Sequence, residues 1–334
     1  MPGPTHPDSR LPGTTEPPRS AWQDLRVPPQ TLTAPAVDRS TRTDVLLIAV
    51  ALTAVSTSGP LIAATAVPAL AIAFWRNALA SGLLLPVALA TCRDELKGLD
   101  RRELRYAAVA GLMLALHFAT WTPALTYTSV ASATALVATQ PVWAALISGW
   151  RGVPVGRAVW LGIGVAMSGA LLLAVVDLRV SGEALVGDLL AVAGGAFAAL
   201  YMTAGSEVRR SVSTTTYTLL CYGTTALLLL VVCVVARQPL TGYDTDDWLK
   251  LLALTLGAQL LGHSLFNRVL KTVGPTTVSM LILLEIPGAA LVAAAFLGQT
   301  PPLVAVPAFL LLVAGLALVV RASSRGTVPA VPVE

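Results

Sequence analysis

From Val45 onward the chain alternates between apolar runs of about twenty residues and short polar connectors. About twenty residues at roughly 1.5 Å rise span a hydrocarbon core of about 30 Å. Ten such runs are predicted as membrane-spanning helices: 45–65, 69–91, 106–126, 129–149, 158–178, 188–206, 214–236, 248–267, 276–297 and 302–320. None shows the alternation of period two that a β-barrel strand carries, so helices, which satisfy their own backbone in lipid, are the expected element. The connector at 65–69 is broken by Pro68, and Tyr127-Thr128 leaves little room for a turn at 126–129, so both read as hairpin tips. Ahead of the first run, Met1–Thr43 is polar and holds nine prolines. Such a stretch buries too little apolar surface to offset its ordering entropy and is expected to be a disordered tail. The first apolar run also begins too far from Met1 for a cleavable signal peptide.

The pattern repeats. A shift of 146 residues carries Gly111 onto Gly257, His117 onto His263, Pro141 onto Pro287, Gly152 onto Gly298 and Gly169 onto Gly315 without a gap. The histidine match weighs most, because only three histidines exist and the third is His6 in the tail. The shift moves the third run onto the eighth. Five is odd, so the two copies are expected to cross the membrane in opposite senses, an arrangement found in secondary transporters. The fold class predicted is therefore all-α integral membrane, ten transmembrane helices as two inverted five-helix repeats. Its parts are a tail at 1–43, repeats at 44–178 and 184–321, and a short tail at 322–334.

Composition and charge sharpen this picture. Hydrophobic residues make up 55% and charged ones 12%, too few charges to cover a soluble surface. With the N-terminus inside, the inner segments hold five Lys and Arg in the tail, five in 92–105 and two in each of four others. The outer segments hold only Arg179, Arg237 and Lys250. This asymmetry predicts a multi-pass protein of the cytoplasmic membrane with both termini cytoplasmic. It also explains the net charge of +4 without nucleic acid as a partner. Cys92, Cys221 and Cys233 form no disulfide framework or metal-binding spacing.

Several stretches resemble the drug/metabolite transporter superfamily, specifically its EamA-type members. They are Phe74-Trp75-Arg76, Ala124-Leu125-Thr126-Tyr127-Thr128-Ser129, Gln140-Pro141-Val142-Trp143, Glu285-Ile286-Pro287 and the late glycines Gly169 and Gly315. The likeness covers roughly residues 44 to 321 and implies a ten-helix fold with a central cavity and export or exchange of small metabolites. Members of that family often carry a Glu just after the glycine following the fourth or ninth helix. This chain has Val153 and Gln299 there.

The candidate chemistry sits where polar groups enter apolar runs. A charge at a helix centre costs about 2.5–3.5 kcal/mol on insertion scales, so it needs a partner or a wet cavity. Glu285 is such a charge, and it can act as a proton- or substrate-coupling carboxylate, pair with Arg76, or stay neutral. Arg76 in turn can line a cavity or reach back to the interface. Pro141 and Pro287 are expected to kink their helices and free the carbonyls of Val137 and Leu283. His117 and His263 fall at matching depths, and Trp121 and Asn267 share their faces one turn on. Gln140 and Tyr201 complete the set of substrate-binding or coupling candidates.

No metal site is expected from two histidines and one distant acid, and no cofactor or enzymatic motif is visible. The function expected is a secondary transporter whose partners are the lipid bilayer, a small-molecule substrate and a coupling proton. A membrane-embedded enzyme and a receptor-like protein are the alternatives.

Overall fold

The computed structural model describes residues 42–128, 130–176, 182–298 and 303–325, and every regular element among them is helical. The tail reading (Met1–Thr43) lies almost wholly outside the described residues, as do Ser129, Gln299 and the chain beyond Arg325. In chain order the helices are α1 (Arg42–Ser56), α2 (Ser58–Ala63), α3 (Ala69–Thr91), α4 (Arg93–Gly98), α5 (Arg101–Tyr127), α6 (Val130–Val137), α7 (Gln140–Trp150) and α8 (Arg157–Val176). There follow α9 (Gly182–Val208), α10 (Thr214–Val235), α11 (Thr245–Leu254), a π-helical segment (Thr255–His263), α12 (Ser264–Val269), α13 (Pro275–Ile282), α14 (Glu285–Leu297) and α15 (Ala305–Arg325).

Eight helical stretches among the described residues are long and apolar enough to cross a membrane. The run predicted at 129–149 is not one of them. It is broken between α6 and α7, which leaves pieces of 8 and 11 residues. The run predicted at 158–178 becomes α8, whose apolar stretch Arg157–Leu172 is short.

Local sequence explains where the helices begin. Asp100 accepts from the Glu103 amide while the Glu103 side chain accepts from the Asp100 amide, a reciprocal cap that starts α5. Ser213 caps α10 through the Thr216 amide. Pro68 immediately precedes α3, and Pro275 occupies the first turn of α13, where a missing N–H costs nothing. The prolines singled out as kinks act differently from expectation. Pro141 starts α7 instead of bending a continuous helix, and the chain turns before it at Ala138-Thr139. Pro287 lies in the first turn of α14, after a break at Leu283-Leu284, and the Leu283 carbonyl expected to be free accepts the Ile286 N–H at 3.2 Å. A tight turn just before a proline lets a three-residue hydrogen bond capture the carbonyl that the proline cannot serve.

Packing follows the repeat register. α5 packs on α9, and their counterparts pack alike, the π segment and α12 on α1. α10 packs on both α3 and α5, and α8 lies along α15. In the last pair the register is visible atom by atom. A Cβ at Gly315 would sit 2.5 Å from the Gly162 carbonyl oxygen, and one at Gly169 would sit 2.5 Å from that of Ala308. Ala308 and Gly315 are the register mates of Gly162 and Gly169, so each contact is the other with the copies exchanged. Small residues allow this close approach where lipid supplies no hydrophobic drive. Gly152 and Gly298, another matched pair, end α7 and follow α14 with φ of +84° and +65°, a backbone that favours glycine.

The larger apolar core is shared by α1, α3, α5, α9, α10 and the segment around the π helix, and a smaller one joins α7, α8, α13 and α15. Leu161, Leu227, Val235, Leu291 and Phe296 lie on the exposed outer surface, as residues facing lipid should.

The two ends of the bundle are held differently. At the end bearing the 92–105 and 209–213 connectors, the nearly buried Glu207 carboxylate accepts from Arg151 at 2.6 Å and Arg210 at 3.2 Å. Arg102 stands 4.0 Å away. Beside it the Glu95 carboxylate accepts from the Ser213 amide and from the hydroxyls of Ser213 and Thr216. Burial opposes ionisation of Glu95, but those hydrogen bonds overcome it and hold its carboxyl below the ordinary value. At the opposite end Asp247 accepts from the Thr65 hydroxyl (2.7 Å) and the Ala66 amide (3.2 Å), and the Trp75 indole donates to the Leu240 carbonyl.

Candidate functional site

Where the two halves meet there is a cavity of about 70 Å³, room for several waters or a small group of atoms. Six of the eight candidate residues line it: Glu285, His117, His263, Trp121, Gln140 and Tyr201. Both helix breaks open onto it, through Val137 and Ala138 on one side and Ile282 and Glu285 on the other. Glu285 is the first residue of α14, so the break places its carboxylate at the cavity wall instead of the middle of a continuous helix.

The two histidines differ in their support. His117 on α5 faces the Gly194 carbonyl of α9 with Nδ1 at 2.9 Å, which requires Nδ1 to carry the proton. Its ring stacks on Trp121, with centroids 5.9 Å apart and planes 5° from parallel. His263 ends the π segment and meets the Phe118 ring edge-on at 5.9 Å, but its Nδ1 is buried with no hydrogen-bond partner. The Trp121 indole N–H is equally without one.

Arg76 and Asn267 stand one layer behind the wall. Arg76 is 1% exposed and does not reach the interface. Its Nε donates to Gln259 Oε1 at 2.7 Å, its Nη1 approaches the Ser58 hydroxyl at 3.4 Å, and its guanidinium carbon lies 4.5 Å over the Phe118 ring. Its Nη2 has no partner, and no direct ion pair joins it to Glu285. Gln259 in turn donates to Asn77 at 3.0 Å. Asn267 accepts from the Tyr201 hydroxyl at 2.6 Å and thereby orients it, so it acts through Tyr201 instead of facing the cavity. Gln140 donates to Ser279 at 3.1 Å and reaches the Met202 sulfur at 3.0 Å, which ties α7 to α13 and α9.

Sequence reasoning missed Phe118, Ser58 and Gln259. The signal for Gln259 was present, a lone amide deep in an apolar run, but its partner Arg76 is 183 residues away. The widened π turn that carries Gln259, a feature common at functional sites, has no signature in the run of Leu and Gly around it. No group of three or more metal-ligating side chains occurs among the described residues.

A model of the EamA-like transporter family matches residues 43–175 and again residues 185–321. The chain belongs to the EamA-like transporter family. It is thus a multi-pass membrane protein built on two EamA repeats, in a family of transporters and not of enzymes, and a small-molecule substrate and the bilayer are its implied partners. No curated protein matches the chain in sequence. A solved crystal structure of a protein is similar over 86% of this chain and all of its own, with TM-score 0.70 and 20% identity, which supports the fold alone.

Proposed function

We propose that this EamA-like protein is a secondary carrier that exports or exchanges a small metabolite across the cytoplasmic membrane by alternating access. In this reading ten spans form two inverted five-helix repeats, at 44–178 and 184–321, and both termini face the cytoplasm. The exchange-related contacts of α8 with α15 and of α5–α9 with the π segment and α1 support the inverted relation. The concentration of Lys and Arg at the Glu207 end supports the orientation.

One observation carries the functional reading. An acid at a helix break faces the junction of two related halves and has no hydrogen-bond or ion-pair partner among the described residues. An unpaired carboxylate at membrane depth is costly unless it binds a proton or a substrate. Alternation between those two occupants gives coupling, and the helix breaks give the two halves places to flex.

The test is counterflow. Proteoliposomes loaded with an unlabelled solute should accumulate its labelled form from outside with no added energy source. Failure of a broad metabolite panel to exchange, with the protein shown to be folded, would count against the carrier reading. A cysteine placed at Thr241 in a cysteine-free background should react with an impermeant thiol reagent on intact cells. Protection at that site, with labelling at Lys97, would reverse the orientation.

A further inference from the structure

The repeat register relates one more pair of contacts, at opposite ends of the bundle. At the outer end, in the orientation proposed above, the Thr65 hydroxyl just after α2 donates to Asp247 in the first turn of α11 at 2.7 Å. The Ala66 amide adds a bond to the same oxygen at 3.2 Å. At the inner end the Ser211 hydroxyl just after α9 donates to Glu103 in the first turn of α5 at 2.5 Å. Thr65 and Ser211 are register mates, and the two acids differ by two positions within equivalent first turns. Each clasp therefore joins one half to the other, and exchanging the halves turns one clasp into the other.

The clasps are not equally strong. Near Ser211 the nearly buried Glu207 carboxylate accepts from Arg151 of the other half at 2.6 Å. The mates of Glu207 and Arg151 are Leu61 and Leu297, so the outer clasp has no counterpart of this ion pair. Its added bond runs from Lys250 Nζ to the Ala64 carbonyl at 2.7 Å. A hydrogen bond between two charged groups is stronger than one to a neutral group. Thr65 also lines a second cavity, of about 170 Å³, together with Gly59, Ile62, Thr122 and Leu125. That cavity continues the central one along the same two helices. Ser58 and Trp121 line the central cavity, and their chain neighbours Gly59 and Thr122 line the second.

We infer that the two clasps are the gates of the carrier and that the Thr65–Asp247 clasp is the weaker, its release opening the central cavity outward through the second cavity. The inference rests on the carrier reading for what passes, but gate opening can be measured without any solute.

The experiment uses the full chain with its three native cysteines replaced by alanine and one thiol supplied by Ala138→Cys at the central cavity wall. A small impermeant methanethiosulfonate is applied to intact cells from outside and to inverted vesicles from inside. Thr65→Val and Asp247→Ala should each speed outside labelling roughly fivefold, the population change that one hydrogen bond holds back, without speeding inside labelling. Thr65→Ser keeps the hydroxyl and should label like the parent. Ser211→Ala combined with Glu207→Gln should do the opposite of the outer variants, speeding inside labelling and slowing it from outside. If that double variant does not fold, the Thr65 series decides alone.

Outer-clasp variants that leave the outside rate unchanged, or that speed labelling equally from both faces, overturn the inference. So does Thr65→Ser behaving like Thr65→Val. Face-selective labelling in a protein that exchanges no solute supports the gates and overturns the carrier reading. Solute exchange with labelling unmoved by the outer-clasp variants does the reverse.

Discussion

The two repeats share a scaffold and differ at the cavity. In the register that places His117 on His263, Phe118 faces Ser264, Trp121 faces Asn267, Met113 faces Gln259, Tyr222 faces Arg76 and Thr139 faces Glu285. The α5 wall is aromatic, whereas the π segment and α14 bring His263 and Glu285 to the wall. Positions that build the fold kept their chemistry in both copies: small residues at the α8–α15 crossing, glycines after α7 and α14, breaks near 138 and 284. Apart from His117 and His263, positions in and behind the cavity wall diverged, so the two copies present different groups there. A duplicated scaffold thus separates what holds the helices from what addresses a ligand.

That division can be broken experimentally, first at the scaffold. Gly169→Ala and Gly315→Ala each force a methyl group to within 2.5 Å of a helix backbone. Each should cost about 3 kcal/mol, and the two should match in magnitude because the sites are register mates. Thermal unfolding in detergent measures both, and a difference above about 1 kcal/mol would break the equivalence.

The cavity positions should behave unequally. Arg76→Met removes a charge that Gln259 and Phe118 hold and leaves the Gln259 carbonyl without its donor. A loss of about 2 kcal/mol is expected, and Tyr222→Phe at the matching place should lose about 1 kcal/mol or less. The histidines give a finer contrast. His117→Phe strands the Gly194 carbonyl and should cost about 1 kcal/mol. His263→Phe strands nothing and should leave Tm nearly unchanged, so any fall in exchange by that variant reports on the ligand.

A further contrast lies at the charged end. Glu95→Gln weakens three hydrogen bonds that anchor α4 to the start of α10 and should lower stability by about 1 kcal/mol. Because the folded value of Glu95 is depressed, its contribution is present above the unfolded carboxylate value of about pH 4.3 and disappears as pH falls through the lower folded value. Wild type and Glu95→Gln should therefore converge in Tm under acid and separate above about pH 5.

Much of the fold was legible because lipid imposes one rule along the whole chain: apolar for about twenty residues, then a connector. The repeat was legible because five glycine, histidine and proline positions recur at a single spacing, the histidine weighing most because only three exist. The helix breaks were legible only as prolines. Pro141 and Pro287 mark the places, but whether a proline kinks a helix or starts a new one depends on the turn before it, which Ala138-Thr139 and Leu283-Leu284 do not announce. The candidate residues were found by the cost of polarity in lipid, and that criterion could not tell wall from backing. Arg76 and Asn267 look like Glu285 and His263 in sequence, yet the first pair orients and the second faces the cavity. Only partners distant in sequence, such as Gln259 for Arg76 and Tyr201 for Asn267, separate them.

The claim at the centre of this account is that Glu285 alternates between a proton and the ligand. The direct measurement is transport by Glu285→Gln in proteoliposomes, with and without an imposed pH gradient, using whichever solute exchanges in the wild type. The account predicts that the gradient accelerates wild-type transport and has no effect on the variant, whose unliganded Tm stays near that of the wild type. An undiminished response to the gradient in Glu285→Gln would contradict it.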